Sequence, residues 1–154
     1  MDLLLISRCP PFPLHLGDRL IPYHLARELA ARRHRIDLLA FYQQPEDLAD
    51  VPRYQHLFNN VRLIREPRRG LPDYQRRSRP DARFPRRREE SWSPEMWDAI
   101  EHALANHAYD VVHLFGGIHV YEYRALVEGH PNVIVPYESY SLWLDRAIQE
   151  ERRP

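Results

Sequence analysis

Glycine and charged residues stand directly after apolar runs in this chain, where their chemistry suits a small ligand. Gly17-Asp18-Arg19 stands at the end of the proline-rich loop that follows the first apolar run. Gly116-Gly117 follows a later apolar run, 110–115. Glycine leaves backbone N–H groups open to a ligand, and arginine can bind a phosphate or a carboxylate through two hydrogen bonds. Each feature also has a structural explanation: Arg19 as an exposed residue in the first turn of a helix, and Gly116-Gly117 as a tight turn.

Sequence motifs with well-defined nucleotide or hydrolase chemistry are missing. The chain has no G-x-G-x-x-G after the first apolar run, no G-x-x-x-x-G-K-[ST], no G-x-S-x-G and no H-E-x-x-H. All 22 basic residues are arginines, so a lysine Schiff base and a phosphate-loop lysine are impossible. The single cysteine, Cys9, excludes an internal disulfide and a cysteine-rich metal site. A dinucleotide enzyme, a phosphate-loop NTPase and an α/β-hydrolase are therefore disfavoured.

Apolar runs alternate with helical patterns along the chain. This alternation predicts an α/β fold, a doubly wound and mostly parallel sheet with helices on both faces. Helices are predicted to begin at Asp18, as an N-cap, and at Ser93-Pro94, with a short one around 120–127 and a last one at 140–151. The predicted strands are 2–7, 36–42, 61–64, 110–115 and 133–135. Ligands bind at the carboxyl ends of parallel strands, so the loops 8–18, 115–119 and 136–141 are the expected site.

Composition indicates one soluble domain, 1–154. The chain is 44% hydrophobic and 29% charged, and its 22 basic residues balance 22 acidic ones, so overall charge predicts no nucleic-acid partner. No apolar run is long enough to span a membrane and the start does not resemble a signal peptide, so we expect a cytoplasmic protein. The segment 66–93 is rich in proline and arginine and is predicted to be a long mobile loop.

Several segments, in their order and spacing, resemble the N-terminal, acceptor-side domain of family-4 glycosyltransferases, enzymes with the two-domain GT-B fold. The opening strand and proline-rich loop lead into a helix that reads YHLARELA at 23–30 and continues as RHRIDL at 33–38. The later segment YDVVHL, 109–114, is similar to a strand of that family. The resemblance covers almost the whole chain apart from 66–93.

The resemblance implies one half of a retaining glycosyltransferase that uses a sugar nucleotide. Glu138 stands where many relatives place a His or Asp beside the transferred sugar, and is the implied catalytic residue. Its carboxylate could accept a hydrogen bond from a sugar hydroxyl or stabilise an oxocarbenium-like centre, or it could pair with the dipole of the last helix. His113 would point to the cleft floor, or be a buried core residue. The implied substrate-binding residues are Gly17, Asp18, Arg19, His113, Gly116, Gly117 and Tyr137.

The implied partners are a glycan or lipid-linked acceptor, a sugar nucleotide as donor substrate, and a donor-binding C-terminal domain absent from 1–154. We therefore expect a fragment that is inactive alone, needs no metal or cofactor, and can contact the inner face of the membrane peripherally. The alternative is a non-catalytic, flavodoxin-like binding module whose Arg-rich loop, 66–93, contacts an anionic partner. Salt-sensitive binding to RNA or anionic lipid by a protein that ignores sugars would favour this alternative.

Overall fold

The fold was analysed in a computed structural model that describes residues 1–68, 70 and 84–135. Some sequence predictions lie outside the described residues: the last helix, 140–151, the site residues Tyr137 and Glu138, and half of the predicted loop 66–93.

Five parallel strands form one sheet, in the order β3-β2-β1-β4-β5. The strands are β1 (Asp2–Ser7), β2 (Arg35–Tyr42), β3 (Asn60–Arg65), β4 (Val111–Phe115) and β5 (Asn132–Val135). β1 is central and buried along nearly its whole length, because it has a strand on each side and helices on both faces. The predicted doubly wound, parallel α/β fold is confirmed.

Helical segments connect successive strands. The two longest, α1 and α4, have apolar residues at helical spacing along one side. The helices are α1 (Gly17–Ala31), α2 (Pro45–Ala49), α3 (Val51–Tyr54), α4 (Pro94–Asn106), α5 (Ile118–Tyr121) and α6 (Arg124–Val127), and single 3₁₀ turns occur at Gln55–Leu57 and Arg88–Glu90.

Side chains alternate between the two faces of the sheet and therefore build two cores. On one face, Leu4 and Ile6 of β1 pack in a cluster with buried residues of α4, α5 and α6. On the other face, Leu3 and Leu5 pack in a cluster with Ala26 of α1 and with the segment that contains α3. The loop after β1 therefore leads to one face of the sheet, and the loop after β4 leads to the other.

The starts of α4 and α1 show one helix cap that local sequence predicts correctly and one that it does not. Ser93 caps α4 as predicted, since its hydroxyl accepts a hydrogen bond from the Met96 N–H at 3.2 Å. Asp18, in contrast, is not the N-cap of α1: the cap position lies two residues earlier, at Leu16, which makes no side-chain hydrogen bond. The Asp18 side chain instead faces Arg8, and this ion pair accounts for the acidic residue at the start of α1.

Candidate functional site

A crevice is expected above the carboxyl ends of β1 and β4, because the strand order reverses between them. Both strands are parallel neighbours, with Ser7 opposite Phe115 at their last pair. From there the chain turns toward α1 on one face and toward α5 on the other. We therefore expect a ligand between these two loops.

Arg8 and Gly116 join the two loops at the base of this crevice. The Arg8 N–H donates to the Phe115 carbonyl at 3.1 Å. The Arg8 side chain then lies across Gly116, where an added Cβ would come within 2.5 Å of the Arg8 Cβ. Gly116 has φ +124° and Gly117 has φ +65°, and nothing lies within 4 Å of the Cβ position of Gly117. The backbone at Gly117 therefore borders open space.

Polar contacts within the loop after β1 and with the first turn of α1 fix the conformation of this loop. The Arg8 guanidinium lies 3.7 Å from the Asp18 carboxylate, and the Ser7 hydroxyl donates to the Cys9 carbonyl at 2.8 Å. The Cys9 thiol donates to the Asp18 carbonyl at 3.7 Å, and burial raises the pKa of this thiol to about 12. Cys9 is therefore protonated near neutral pH and is a structural residue, not a nucleophile.

Arg19 and Asp47 form a clamp between the loops after β1 and β2. Arg19 Nη1 donates to the Phe12 carbonyl and to Asp47 Oδ1, the latter at 2.7 Å, and the Asp47 side chain is only 6% exposed. The backbone N–H groups of Gln43 and Gln44 donate to Asp47 Oδ2 at 2.9 and 3.2 Å. Burial opposes ionisation of this carboxyl, but the hydrogen bonds and the Arg19 charge outweigh it and lower the pKa of Asp47.

Hydrogen bonds continue from this clamp along the carboxyl edge of the sheet to a histidine. The Gln43 side-chain amide donates to Glu66 Oε2, and Glu66 Oε1 lies 3.0 Å from His119 Nδ1. The Trp92 ring meets the His119 ring edge to face, with centroids 5.8 Å apart. Gln43 follows β2, Glu66 follows β3 and His119 lies in the first turn after β4. The edge therefore carries a continuous polar chain that ends at an imidazole.

The predicted substrate-binding residues separate into three groups in the structure. Gly17, Asp18 and Arg19 form the first turn of α1, and Gly116 and Gly117 border the crevice. His113 lies apart from them, two residues before the end of β4, opposite Leu5 on the face of the second core. Tyr137 and Glu138 fall outside the described residues. None of these residues is tested as a binding residue, and their functional roles stay predictions.

His113 is buried, at 8% exposure, and its Nε2 has no hydrogen-bond partner in the described structure. Burial lowers the pKa of His113, so the ring is neutral near physiological pH. Its surroundings fit the core-residue interpretation, because the nearest aromatic contact is Phe115, edge to face with centroids 6.1 Å apart.

Sequence reasoning missed the residues that connect the carboxyl edge: Gln43, Asp47, Glu66 and His119. A usable signal was present for two of them, because Glu66 directly follows a strand and His119 follows the Gly116-Gly117 turn. The partner of Arg19, 28 residues away, had no such local signal.

The described residues also limit other kinds of site. Within them, no group of three or more His, Cys, Asp or Glu side chains is arranged to bind a metal ion. No helix in the same part of the chain is long and apolar enough to cross a bilayer.

The fold has a known structural counterpart, but the sequence has no recognised family. One similar solved structure is the C-terminal domain of the PF1911 hydrogenase from Pyrococcus furiosus, with 12% identity and a TM-score of 0.59 over 86% of this chain and 89% of that chain. No family model matches the sequence, and no curated protein matches it. The similarity to the hydrogenase domain shows a shared fold and, at this identity, nothing about function.

The comparisons contradict the assignment to family-4 glycosyltransferases. The similar structure is a hydrogenase domain and not a glycosyltransferase, and no family model supports the GT-B assignment. The segments that suggested this family, such as 23–30 and 109–114, form α1 and β4 of the sheet. A helix and a buried strand of this kind are required by any parallel α/β fold, so these segments do not identify one family.

Proposed function

We propose that this domain binds a small, neutral molecule rich in hydroxyl groups in the crevice between the ends of β1 and β4. The observation that carries the proposal is that two arginines near the carboxyl end of β1, Arg8 and Arg19, are each paired with a carboxylate. Arg8 faces Asp18 at 3.7 Å, and Arg19 bonds Asp47 at 2.7 Å. Charged pairs of this kind offer hydrogen-bond donors and acceptors side by side with little net charge.

A phosphate is a poorer match to these pairs than a sugar hydroxyl. A phosphate would have to displace Asp18 or Asp47 from its arginine, or bind close to that carboxylate and be repelled. A hydroxyl both donates and accepts, so it can bond a carboxylate and a guanidinium without separating them. This balance of charge favours a neutral polyol, the class of molecule to which glycan acceptors belong.

The role that we propose for such a ligand is to accept a glycosyl group. Because Arg8 and Arg19 are already paired, we propose that groups other than these two arginines bind the diphosphate of a sugar nucleotide. In this proposal the described domain binds and orients the acceptor, and by itself transfers nothing. The proposal concerns chemistry at the crevice and is independent of family membership.

Saturation-transfer NMR on the 154-residue chain tests the proposed ligand class. Methyl α-glucoside and maltose are compared with glucose 1-phosphate and with glucose 6-phosphate. We expect saturation transfer to the neutral sugars and little transfer to the phosphate-bearing compounds. Binding of the phosphates alone, or of none of the four compounds, would overturn the proposal.

A matched pair of variants tests whether the sugar binds at the crevice. Arg8→Gln removes the charge that lies across Gly116, whereas Arg27→Gln changes an exposed arginine of α1 that pairs with its neighbour Glu28. Arg8→Gln should weaken sugar binding about tenfold, the loss expected for a charged hydrogen bond, and Arg27→Gln should leave it unchanged. Equal effects of both substitutions would contradict binding at the crevice.

The alternative function, a module for an anionic partner, makes a different prediction with the same protein. Arg86 and Arg87 are exposed, and half of the Arg-rich segment lies outside the described residues. Binding to single-stranded RNA or to phosphatidylglycerol vesicles that weakens steeply with salt, in a chain that binds no sugar, would replace the proposal with this alternative.

A further inference from the structure

We propose that His119, oriented by Glu66, accepts a hydrogen bond from a ligand hydroxyl through its Nε2 atom. The inference rests on the proposed function and deepens it by naming one contact of the ligand. His119 lies two residues after Gly117, whose Cβ position borders open space. It lies at the carboxyl edge of the sheet and belongs to neither core cluster.

The Glu66 contact determines which nitrogen of His119 carries the proton. Nδ1 lies 3.0 Å from Glu66 Oε1, and a carboxylate only accepts hydrogen bonds. The proton of the neutral ring therefore belongs on Nδ1, and Nε2 carries the lone pair. The Gln43 amide donates to the other Glu66 oxygen, so the carboxylate is held from two sides.

The rest of the His119 environment leaves Nε2 available. In the part of the chain that the structure describes, its contacts are Glu66 through Nδ1 and the Trp92 ring. The His119 side chain is 23% exposed, against 9% for Glu66. Within these limits the imidazole has one nitrogen bonded to the protein, and its other nitrogen has no hydrogen bond among the described residues.

Trp92 bonds the residue after α5 and packs its ring between His119 and the core. Its backbone N–H donates at 3.1 Å to Oε2 of Glu122, which directly follows α5, three residues after His119. Its ring also packs against Phe41, with centroids 5.3 Å apart. An aromatic ring beside hydrogen-bonding groups suits a sugar, which carries apolar C–H faces and polar hydroxyls.

The chemistry of this pair selects the ligand hydroxyl as a donor. A bare imidazole nitrogen accepts a hydrogen bond, and the Glu66 contact at Nδ1 orients the ring for it. The Glu66 charge disfavours a phosphate or a carboxylate at this position. The proposed ligand is therefore a neutral alcohol that donates its O–H to Nε2.

The alternative is that the pair only ties the end of β3 to α5. Two substitutions separate these roles. In His119→Asn, the amide nitrogen takes the place of Nδ1 and keeps the Glu66 contact, while nothing replaces Nε2. In His119→Gln, the longer side chain carries its amide to the position of Nε2 and offers an acceptor oxygen there.

Long-range ¹H–¹⁵N correlation spectra of the labelled 154-residue chain, with and without methyl α-glucoside, provide the test. We expect the His119 proton on Nδ1 in the free protein, and a shift of the Nε2 resonance when the sugar is added. His102, an exposed residue of α4, is the internal control and should not shift. Binding should weaken about tenfold in His119→Asn, with unchanged thermal stability, and less in His119→Gln.

Each contrary outcome identifies what has failed. A free-state proton on Nε2, or equal sugar binding by the wild type and His119→Asn, overturns the role of His119 and leaves the crevice proposal intact. A wild-type chain that binds no sugar overturns both proposals together.

Discussion

The Arg8 side chain lies so close across Gly116 that a Cβ at residue 116 would be 2.5 Å from the Arg8 Cβ and 2.9 Å from its Cδ. The contact joins the loops after β1 and β4, which are 108 residues apart in sequence and adjacent at the sheet edge. Because the contact involves the Arg8 Cβ, near the backbone, the side chain cannot simply swing away. The base of the proposed crevice is therefore packed tightly.

Gly116→Ala should destabilise the domain by about 1–3 kcal/mol, because it combines a steric clash with a backbone conformation of φ +124°. Urea denaturation followed by circular dichroism measures the change. Gly129→Ala is the control, since its added Cβ meets open space, and its effect should stay within about 0.5 kcal/mol.

The double variant Arg8→Ala/Gly116→Ala separates the two causes. Removal of the Arg8 side chain beyond Cβ should recover only part of the loss, because the strain at φ +124° and the contact with the remaining Cβ persist. Full recovery would show that backbone strain contributes nothing, and no loss in the single variant would contradict the close packing.

Arg19→Met should destabilise the domain by about 1–3 kcal/mol, because it leaves the carboxylate of Asp47 buried without its cation. The Gln43 and Gln44 N–H groups remain and limit the loss. Arg27→Met, which removes an exposed arginine, should cost less than about 0.5 kcal/mol. Equal losses from the two substitutions in urea denaturation would show that the clamp is not a structural element.

The lowered pKa of Asp47 gives a further test of the same clamp. Its stabilisation should be complete above pH 3.8, the ordinary pKa of Asp, and should be lost as the pH falls through the lower pKa of the folded state. Asp47→Asn should lack this component. The urea midpoints of the two proteins should therefore converge in acid, and a constant difference between them would contradict the assignment.

His113 should make the domain sensitive to mild acid. Burial lowers the pKa of His113 below its ordinary 6.5, so the unfolded chain takes up a proton first as the pH falls. Stability should be constant near and above pH 6.5 for this group and should decrease below it. His113→Leu should lose this decrease in the urea midpoint, while His102→Gln on exposed α4 should retain it. The same decrease in His113→Leu would contradict a neutral, buried His113.

The fold could be predicted from the sequence because its signals are local. Continuous apolar runs such as 36–42 identify strands that are buried on both faces, and Ser93-Pro94 identifies the start of α4. The start of α1 was misplaced, because the acidic Asp18 beside an apolar run resembles an N-cap but pairs with Arg8 instead. Helix propensity predicts that a helix forms here, but it carries no information about this tertiary contact.

The positions of the candidate site residues in the fold were predicted only in outline. The rule for parallel sheets correctly placed Gly17, Gly116 and Gly117 at the carboxyl edge. It could not pair Arg19 with Asp47 or Glu66 with His119, since those partners are 28 and 53 residues apart and meet only when strands align. The family resemblance rested on segments that any such fold requires, and so it gave an assignment that the comparisons contradict.

The most direct measurement of the central claim is the response of the glycine amides of the labelled chain in a ¹H–¹⁵N correlation spectrum as methyl α-glucoside is added. Gly17, Gly116 and Gly117 lie at the carboxyl edge, whereas Gly129 precedes β5 at the opposite edge. The account predicts saturable shifts of the first three amides, with Gly129 unmoved and inorganic phosphate without effect. Shifts caused by phosphate and not by the sugar, or shifts centred on Gly129, would contradict a neutral-ligand site between β1 and β4.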